Sequence, residues 1–284
     1  MLRGGPAIVA ATAPYFSASL AGSLPGTATR FNSESPAGKL AQAFKPLPFI
    51  FEDPYKGQGG FGGSTAEFAL TYAFSRGIED SWEKPYGVYR ELTSNEPIPP
   101  SGADLIAQWS GGVIYWCPKR NDFRKLNKSF PWRNLLVFSA SHQPGRKVPT
   151  HGHLATLQNS ELLIEGSAFL KKLEMIVIQA LDAIEHNQSR HFATALNEYG
   201  DELARNGLEI EASTRDRAAF RGIHGVLAVK GSGALQADSI LVYVEGEGSK
   251  QTVLDTAKRL GLRVVASSLA PEHGMLGVDE RDGE

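Results

Sequence analysis

The sequence predicts an α+β protein of two closely packed domains. A strand, a glycine-rich loop and a helix follow one another between Pro46 and Arg76. Past His151 the texture changes to helical apolar spacing, and a β-turn-β-α-β run closes the chain. Helices followed by such a run point to a second α+β layer rather than to a repeat array or a bundle. Neither an internal repeat nor a long linker appears, so two closely packed units are expected, residues 1–140 and 141–284, with the boundary near 130–150.

The elements follow in order. Residues 6–20, "PAIVAATAPYFSASL", carry small and β-branched residues in partial alternation and predict a β segment. "SPAGKLAQAF" predicts a short helix that Ser35 caps. "PLPFIFED" predicts a strand, and a helix from about Thr65 to Arg76 follows the glycine loop. Residues 81–92 read as a polar helix; after a proline-rich turn, "SGADLIAQWSGGVIYW" reads as a helical stretch and an apolar strand. Asn134 to Ser141 reads as a strand. In the second half, 153–186 and 189–206 predict helices; "GVLAVKG", "DSILVYVE" and "LRVVASSL" predict strands, and "SKQTVLDTAKRLG" a helix.

Composition narrows the function classes. A chain of 284 residues with 42% hydrophobic and 21% charged residues can bury a full core. Its net charge of −2 comes without a basic block, so the electrostatic footprint of a nucleic-acid binder is missing. No apolar run approaches the roughly 20 residues of a membrane span, and the N-terminus lacks the layout of a signal peptide. One cysteine, Cys117, rules out an internal disulfide framework and a cysteine-based zinc cluster. A soluble cytoplasmic protein is expected, with a small-molecule substrate as partner, no nucleic acid and no membrane, and a homodimer as an admissible assembly.

Chemistry concentrates in "KGQGGFGGSTAEFALTYAF", Lys56 to Phe74, which places five glycines in seven positions and then enters a helix. "GQGGFG" has the GxGxxG spacing of a dinucleotide fingerprint, but that motif needs a second buried strand ending in an acid about 20 residues on. Glu79 and Asp80 lie in polar "RGIEDSWEKPYG" instead. A Walker A loop needs a lysine where Gly63-Ser64-Thr65 stands. What remains is an anion site in principle: glycines let amides converge, and a helix N-terminus adds roughly half a positive charge. Ser64 and Thr65 can cap that helix, bond a phosphate oxygen or face a magnesium ion; a glycine-rich turn with an ordinary Ser/Thr cap is the alternative. "PPSGADLIAQWSGG" sets Asp104 just after a Ser-Gly turn, either as a helix cap or as a fixed carboxylate. "VKGSGALQADSILVYVE" sets a second small-residue loop between two strands, where a plain β-turn is the alternative.

In this order, the three motifs resemble those of the GHMP kinase superfamily, the galactokinases, homoserine kinases, mevalonate kinases and phosphomevalonate kinases. The family's phosphate loop reads P-x-x-x-G-L-G-S-S-A; "GFGGSTA" is similar, with Phe61 for the leucine and Gly63 for the first serine. "PSGAD" resembles the S-G-x-D segment of the mevalonate and phosphomevalonate branch. "GSGALQADSILV" resembles S-G-A-G-G-G-D-C, keeping Gly233, Ala234 and Asp238, while Leu235, Gln236 and Ala237 replace the glycines. "MLRGGPAIVAA" looks like the tail of the family's first motif, whose lysine would precede Met1; a start assigned too late is expected over a truncated enzyme.

The resemblance implies an N-terminal domain of the ribosomal S5 domain 2-like type and a C-terminal ferredoxin-like domain. It implies an ATP- and Mg2+-dependent kinase of the isoprenoid precursor route, with phosphomevalonate favoured over mevalonate as acceptor. ATP would lie on Gly59, Gly60, Phe61, Gly62, Gly63, Ser64 and Thr65, with Ser64 also a magnesium ligand. Asp104 inherits the role of catalytic base. Ser101, Gly102, Lys147, Lys230, Ser232, Gly233 and Ala234 would line the acceptor site, with Arg146 a further cationic candidate because an anionic acceptor needs cations around it. Glu91 reads as part of a solvated helix face, His151 and His153 as loop residues, and Cys117 as a buried residue with no role. A nucleotide binder without catalysis, and a kinase of a sugar phosphate, are the competing readings.

Overall fold

A computed structural model describes residues 4–21, 28–96, 99–126, 128–140, 143, 160–233, 236–265, 268–269 and 274–276. Four antiparallel sheets organise it. The predicted β segment at 6–20 is three short strands, β1 (Ala7–Ala10), β2 (Thr12–Ala13) and β3 (Ser17–Leu20), because Pro14 carries no N–H to continue a ladder. Helix α1 (Pro36–Phe44) starts as expected: the Ser35 side chain accepts from Gly38 N at 3.1 Å, and Pro36 fits the first turn. Strand β4 (Phe49–Glu52) pairs with β3.

Helix α2 (Gly63–Arg76) begins two residues earlier than predicted, and Gly62 rather than a serine or threonine is its N-cap. Helices α3 (Glu83–Leu92) and α4 (Ala103–Ser110) and strand β5 (Val113–Cys117) fall where the pattern places them. Strand β6 (Asp122–Lys125) was not predicted. It forms a hairpin with β5 across a short 3-10 turn that Asn121 ends in the left-handed region. The order β1-β5-β6 makes the first sheet, and β5 is buried along its whole length. Helices α1, α2, α3 and α4 pack together around Leu40, Phe68, Tyr72, Tyr89, Leu105 and Trp109.

Strand β7 (Leu135–Ser139) pairs with strands from the end of the chain. Helix α5 (Ala168–Glu185) covers only the later part of the helix expected over 153–186, since Glu161–Leu163 is a 3-10 turn, Ser167 caps α5 and 153–159 lie outside the described residues. Helix α6 (Ser189–Arg205) matches its expected span, while α7 (Glu211–Arg221) escaped the pattern because its sequence is mostly polar. Strands β8 (Val226–Ser232) and β9 (Ser239–Val244), helix α8 (Glu247–Arg259) and the two-residue β10 (Arg263–Val264) complete a second sheet of order β10-β7-β9-β8. A last strand, β11 (Ser268–Leu269), pairs with β2. One core cluster joins β5 residues Val113 and Tyr115 to Ile176, Leu181, Phe192 and Tyr243 from the second half.

Candidate active site between the glycine loop and helix α4

The glycine loop is fixed by its own chain before any ligand arrives. Both oxygens of the Asp53 side chain accept backbone N–H groups, from Tyr55 at 2.8 Å and Gly57 at 2.6 Å, so the loop leaves β4 through a tight Asx turn. The Tyr55 ring stacks on Phe61 at 4.4 Å and an interplanar angle of 5°, and its hydroxyl donates to Pro14 O. At the far end three donors converge on the Gly62 carbonyl: Ala66 N at 2.9 Å, Thr65 Oγ1 at 2.7 Å and Gln108 Nε2 at 2.9 Å.

That arrangement decides whether Ser64 or Thr65 caps α2. Thr65 is buried and spends its hydroxyl inside the loop. Helix α2 has no side-chain cap, and the N–H groups of Gly63, Ser64 and Thr65 have no acceptor among the described residues. Ser64 is exposed, and its hydroxyl has no protein partner there. The alternative of a Ser/Thr-capped turn is therefore corrected: the helix end is open.

Two glycines are required by close approach from the protein itself. Gly62 has φ 73°, and a Cβ there would lie 2.7 Å from Gln108 Nε2 and 3.3 Å from Asp104 Cβ. Gly59 faces Asp238, whose Oδ1 would sit 2.8 Å from an added Cβ. At Gly63 the nearest atoms to an added Cβ are 3.9 Å away on Phe16, so a side chain fits.

Asp104 is the second residue of α4, after N-cap Gly102. It makes no cap hydrogen bond, which corrects the reading of it as a capping carboxylate. Its exposed surface belongs to the wall of a cavity of about 1680 Å3, which Gly60, Phe61, Ser101, Gln108, Lys230 and Ser232 also line. Solvent thus reaches a carboxylate that protein surrounds, and this desolvation pushes its pKa above the ordinary carboxylate range. Gly102 is not part of that wall: φ 69° and the Tyr86 ring, 2.7 Å from an added Cβ, explain the glycine. Gln108, one turn beyond Asp104, was not singled out in the sequence. The i, i+4 spacing from Asp104 was its only signal.

The small-residue loop after β8 abuts the glycine loop through Asp238. Gly233, at φ 83°, leaves room for the Asp238 carboxylate, which would lie 1.9 Å from an added Cβ. Gln236 takes φ 56° and turns inward, its side-chain amide donating to Gly200 O at 3.2 Å while its backbone carbonyl accepts from Ser213 Oγ at 3.0 Å. Gln236, in place of one of the expected glycines, thus anchors the loop from behind. Lys230 lies over the Tyr199 ring at 5.2 Å and donates to Gly231 O at 2.7 Å. Burial, with the nearby Arg217 adding to it, lowers its pKa to about 8. Arg217 itself is buried and paired with Glu209 at 2.7 Å and with Asp201. Among the described residues of the cavity wall, Asp104 and Lys230 are the charged ones. Arg146, Lys147, His151, His153 and Ala234 lie outside the described residues. Glu91 is exposed on α3, and Cys117 is buried at the end of β5.

No family model matches the sequence, and no curated protein does. Solved structures do. Phosphomevalonate kinase of Streptococcus pneumoniae superposes with a TM-score of 0.70 at 12% identity, covering 92% of this chain and 91% of that one. Galactokinase of Lactococcus lactis gives 0.70 at 10% identity over 97% and 90%, and L. major mevalonate kinase gives 0.65 at 14% over 93% and 91%. This chain has the GHMP kinase fold. Within that fold, Gly60 and Phe61 of the glycine loop and Asp104 at the start of α4 line one cavity. The GHMP fold is shared beyond kinases: mevalonate pyrophosphate decarboxylase of Streptococcus pyogenes superposes at 0.62 with 11% identity over 96% and 90%. Fold fixes the frame, and the site must carry the chemistry.

Proposed function

We propose that the chain is an ATP-dependent kinase of a small hydroxylated anion, with phosphomevalonate the first acceptor to assay and mevalonate the second. A single observation carries the reading: Asp104 shares one cavity wall with Gly60 and Phe61 of the glycine loop, and its Cβ lies close beside Gly62, the residue before a helix end whose first amides are open.

Gly63, Ser64 and Thr65 amides meet anionic oxygens with aligned N–H groups and the positive end of α2. ATP supplies the transferable phosphoryl group. Magnesium enters with the nucleotide, and the free Ser64 hydroxyl fits as its protein oxygen; such an ion keeps several waters and needs few protein ligands. Asp104 holds the acceptor hydroxyl in line and takes its proton, a task that a raised carboxylate pKa suits. Lys230 meets the acceptor's anionic group. The rest of catalysis is positioning and charge stabilisation.

A second reading, a nucleotide binder without turnover, is favoured by the loop of Gly233–Asp238, where side chains stand in place of glycines and Gln236 holds a left-handed conformation. Titrating Mg·ATP by calorimetry and then measuring ADP release with phosphomevalonate, mevalonate, galactose or a sugar phosphate separates the two. Acceptor-dependent ADP release supports the kinase. Binding without release on every acceptor transfers the case to the binder, and absence of ATP binding sinks both.

A further inference from the structure

Past β10 the described residues leave the sheet β10-β7-β9-β8. After β10, Ser268–Leu269 adds to β2, with Ser268 opposite Ala13 and Leu269 opposite Thr12. Gly274 to Leu276 then lies on the end of α4: Met275 N donates to Trp109 O at 3.1 Å, and the Met275 side chain enters the cluster of Phe68, Tyr72, Leu105 and Trp109. A Cβ on Gly274 would lie 1.9 Å from Trp109 O and 2.7 Å from Gly111 N, so only glycine permits this approach. Leu269, Gly274, Met275 and Leu276 all line the cavity that Asp104 faces.

We propose that two described pieces of the chain, Ser268–Leu269 and Gly274–Leu276, are a positioning element of the site, forming part of one wall of the cavity and holding α4 in the register that sets Asp104 and Gln108 against the glycine loop. Helix α4 has eight residues and no side-chain cap at its start. A helix that short is not stable by propensity and depends on what packs against it. Its last carbonyls have no partner within the helix, and Met275 N–H supplies one to Trp109. Glu79 O accepts from Trp109 Nε1 at 3.1 Å, so Trp109 is held at its indole by Glu79 and at its backbone carbonyl by Met275. Shifting the segment releases the end of the helix that carries the carboxylate. The docking stands on geometry alone; its catalytic consequence rests on the kinase reading above.

The test uses the full chain with Gly274→Val, and Met275→Ala as a milder variant should the first fail to fold. Amide exchange is followed over 103–111 and 268–276, alongside Mg·ATP calorimetry and steady-state kinetics. Expected is exchange faster by about tenfold or more in both segments with cooperative melting retained. ATP affinity should be near wild type, while kcat falls on the order of a hundredfold, as displaced catalytic groups do. Met275→Leu, which keeps an apolar side chain, should restore both. Opening of 268–276 with unchanged exchange in 103–111 overturns the proposal, as does wild-type exchange in both segments of Gly274→Val. If the wild-type chain shows no ATP turnover, the kinase reading fails while the exchange result still decides whether the segment holds α4.

Discussion

Asp104 shows what a partly enclosed carboxylate costs the fold that carries it. Its carboxyl holds a proton more tightly in the folded chain than in the unfolded one, because protein surrounds it. Stability therefore falls as pH rises from the ordinary carboxylate range through the raised folded value, and the ionised group is a net cost at neutral pH. Asp104→Asn is expected to melt higher than wild type at pH 7, with the gap closing in acid, while turnover is lost and ATP binding kept. Thermal scans across pH with paired ADP-release assays check both halves; wild-type turnover in this variant would refute the role of Asp104. Lys230 obeys the opposite sign. Its pKa is lowered to about 8, so its burial costs stability below that pH and the cost is relieved as pH climbs towards the ordinary lysine value. Lys230→Met should be as stable as wild type or more so at pH 7, and should raise the acceptor KM. In the wild type, acceptor KM should rise as pH passes about 8 and the ammonium is lost.

At the scale of an element, the glycine loop and α4 work as one unit joined by Gln108. Gly62 is confined by φ 73° and by the α4 side chains, whereas Gly63 has open space. Gly62→Ala should cost about 1–3 kcal/mol from left-handed strain and overpacking and loosen ATP binding. Gly63→Ser should fold normally and bind ATP at least as well, since it adds a hydroxyl beside open amides. Chemical denaturation and calorimetry on the pair decide it. Part of this was legible in the chain: the glycine run before a helix, and a fixed aspartate after Ser-Gly. What the run could not say is which glycines serve a ligand. Gly59 and Gly62 are glycine because Asp238 and Gln108 press on them, and those contacts join residues over 45 positions apart that no local pattern links. Strand β6 and helix α7 were missed because their polar sequences carry weak periodicity, and their place is set by the neighbours they pack on.

The whole molecule shares its core between the two halves that the sequence suggests. Val113, Tyr115 and Cys117 of β5 pack in one cluster with Ile176, Ile184, Phe192, Ala228 and Tyr243, so burial on either side depends on the other. Strand β7 lies inside the sheet β10-β7-β9-β8, with β9 on one flank and β10 on the other. Removing it would leave β9 with an unpaired edge, which in water promotes association with other chains. These contacts predict how the chain responds to division. Residues 1–134 and 135–284 produced separately should each show poor near-ultraviolet dichroism and a tendency to aggregate, whereas co-expression should return a cooperatively melting complex. A break after residue 140 should do worse even in co-expression, because it separates β7 from the partners that flank it. Size-exclusion chromatography and thermal melts of the two pairs measure the difference; equal recovery from both breaks would mean that β7 contributes little to the second sheet. The same coupling explains why a site can sit in the cleft at all. Gly60, Phe61 and Asp104 come from one half, Lys230 and Ser232 from the other, and all five line one cavity, while Asp238 of the second half presses on the glycine loop at Gly59 and the shared core joins the two halves.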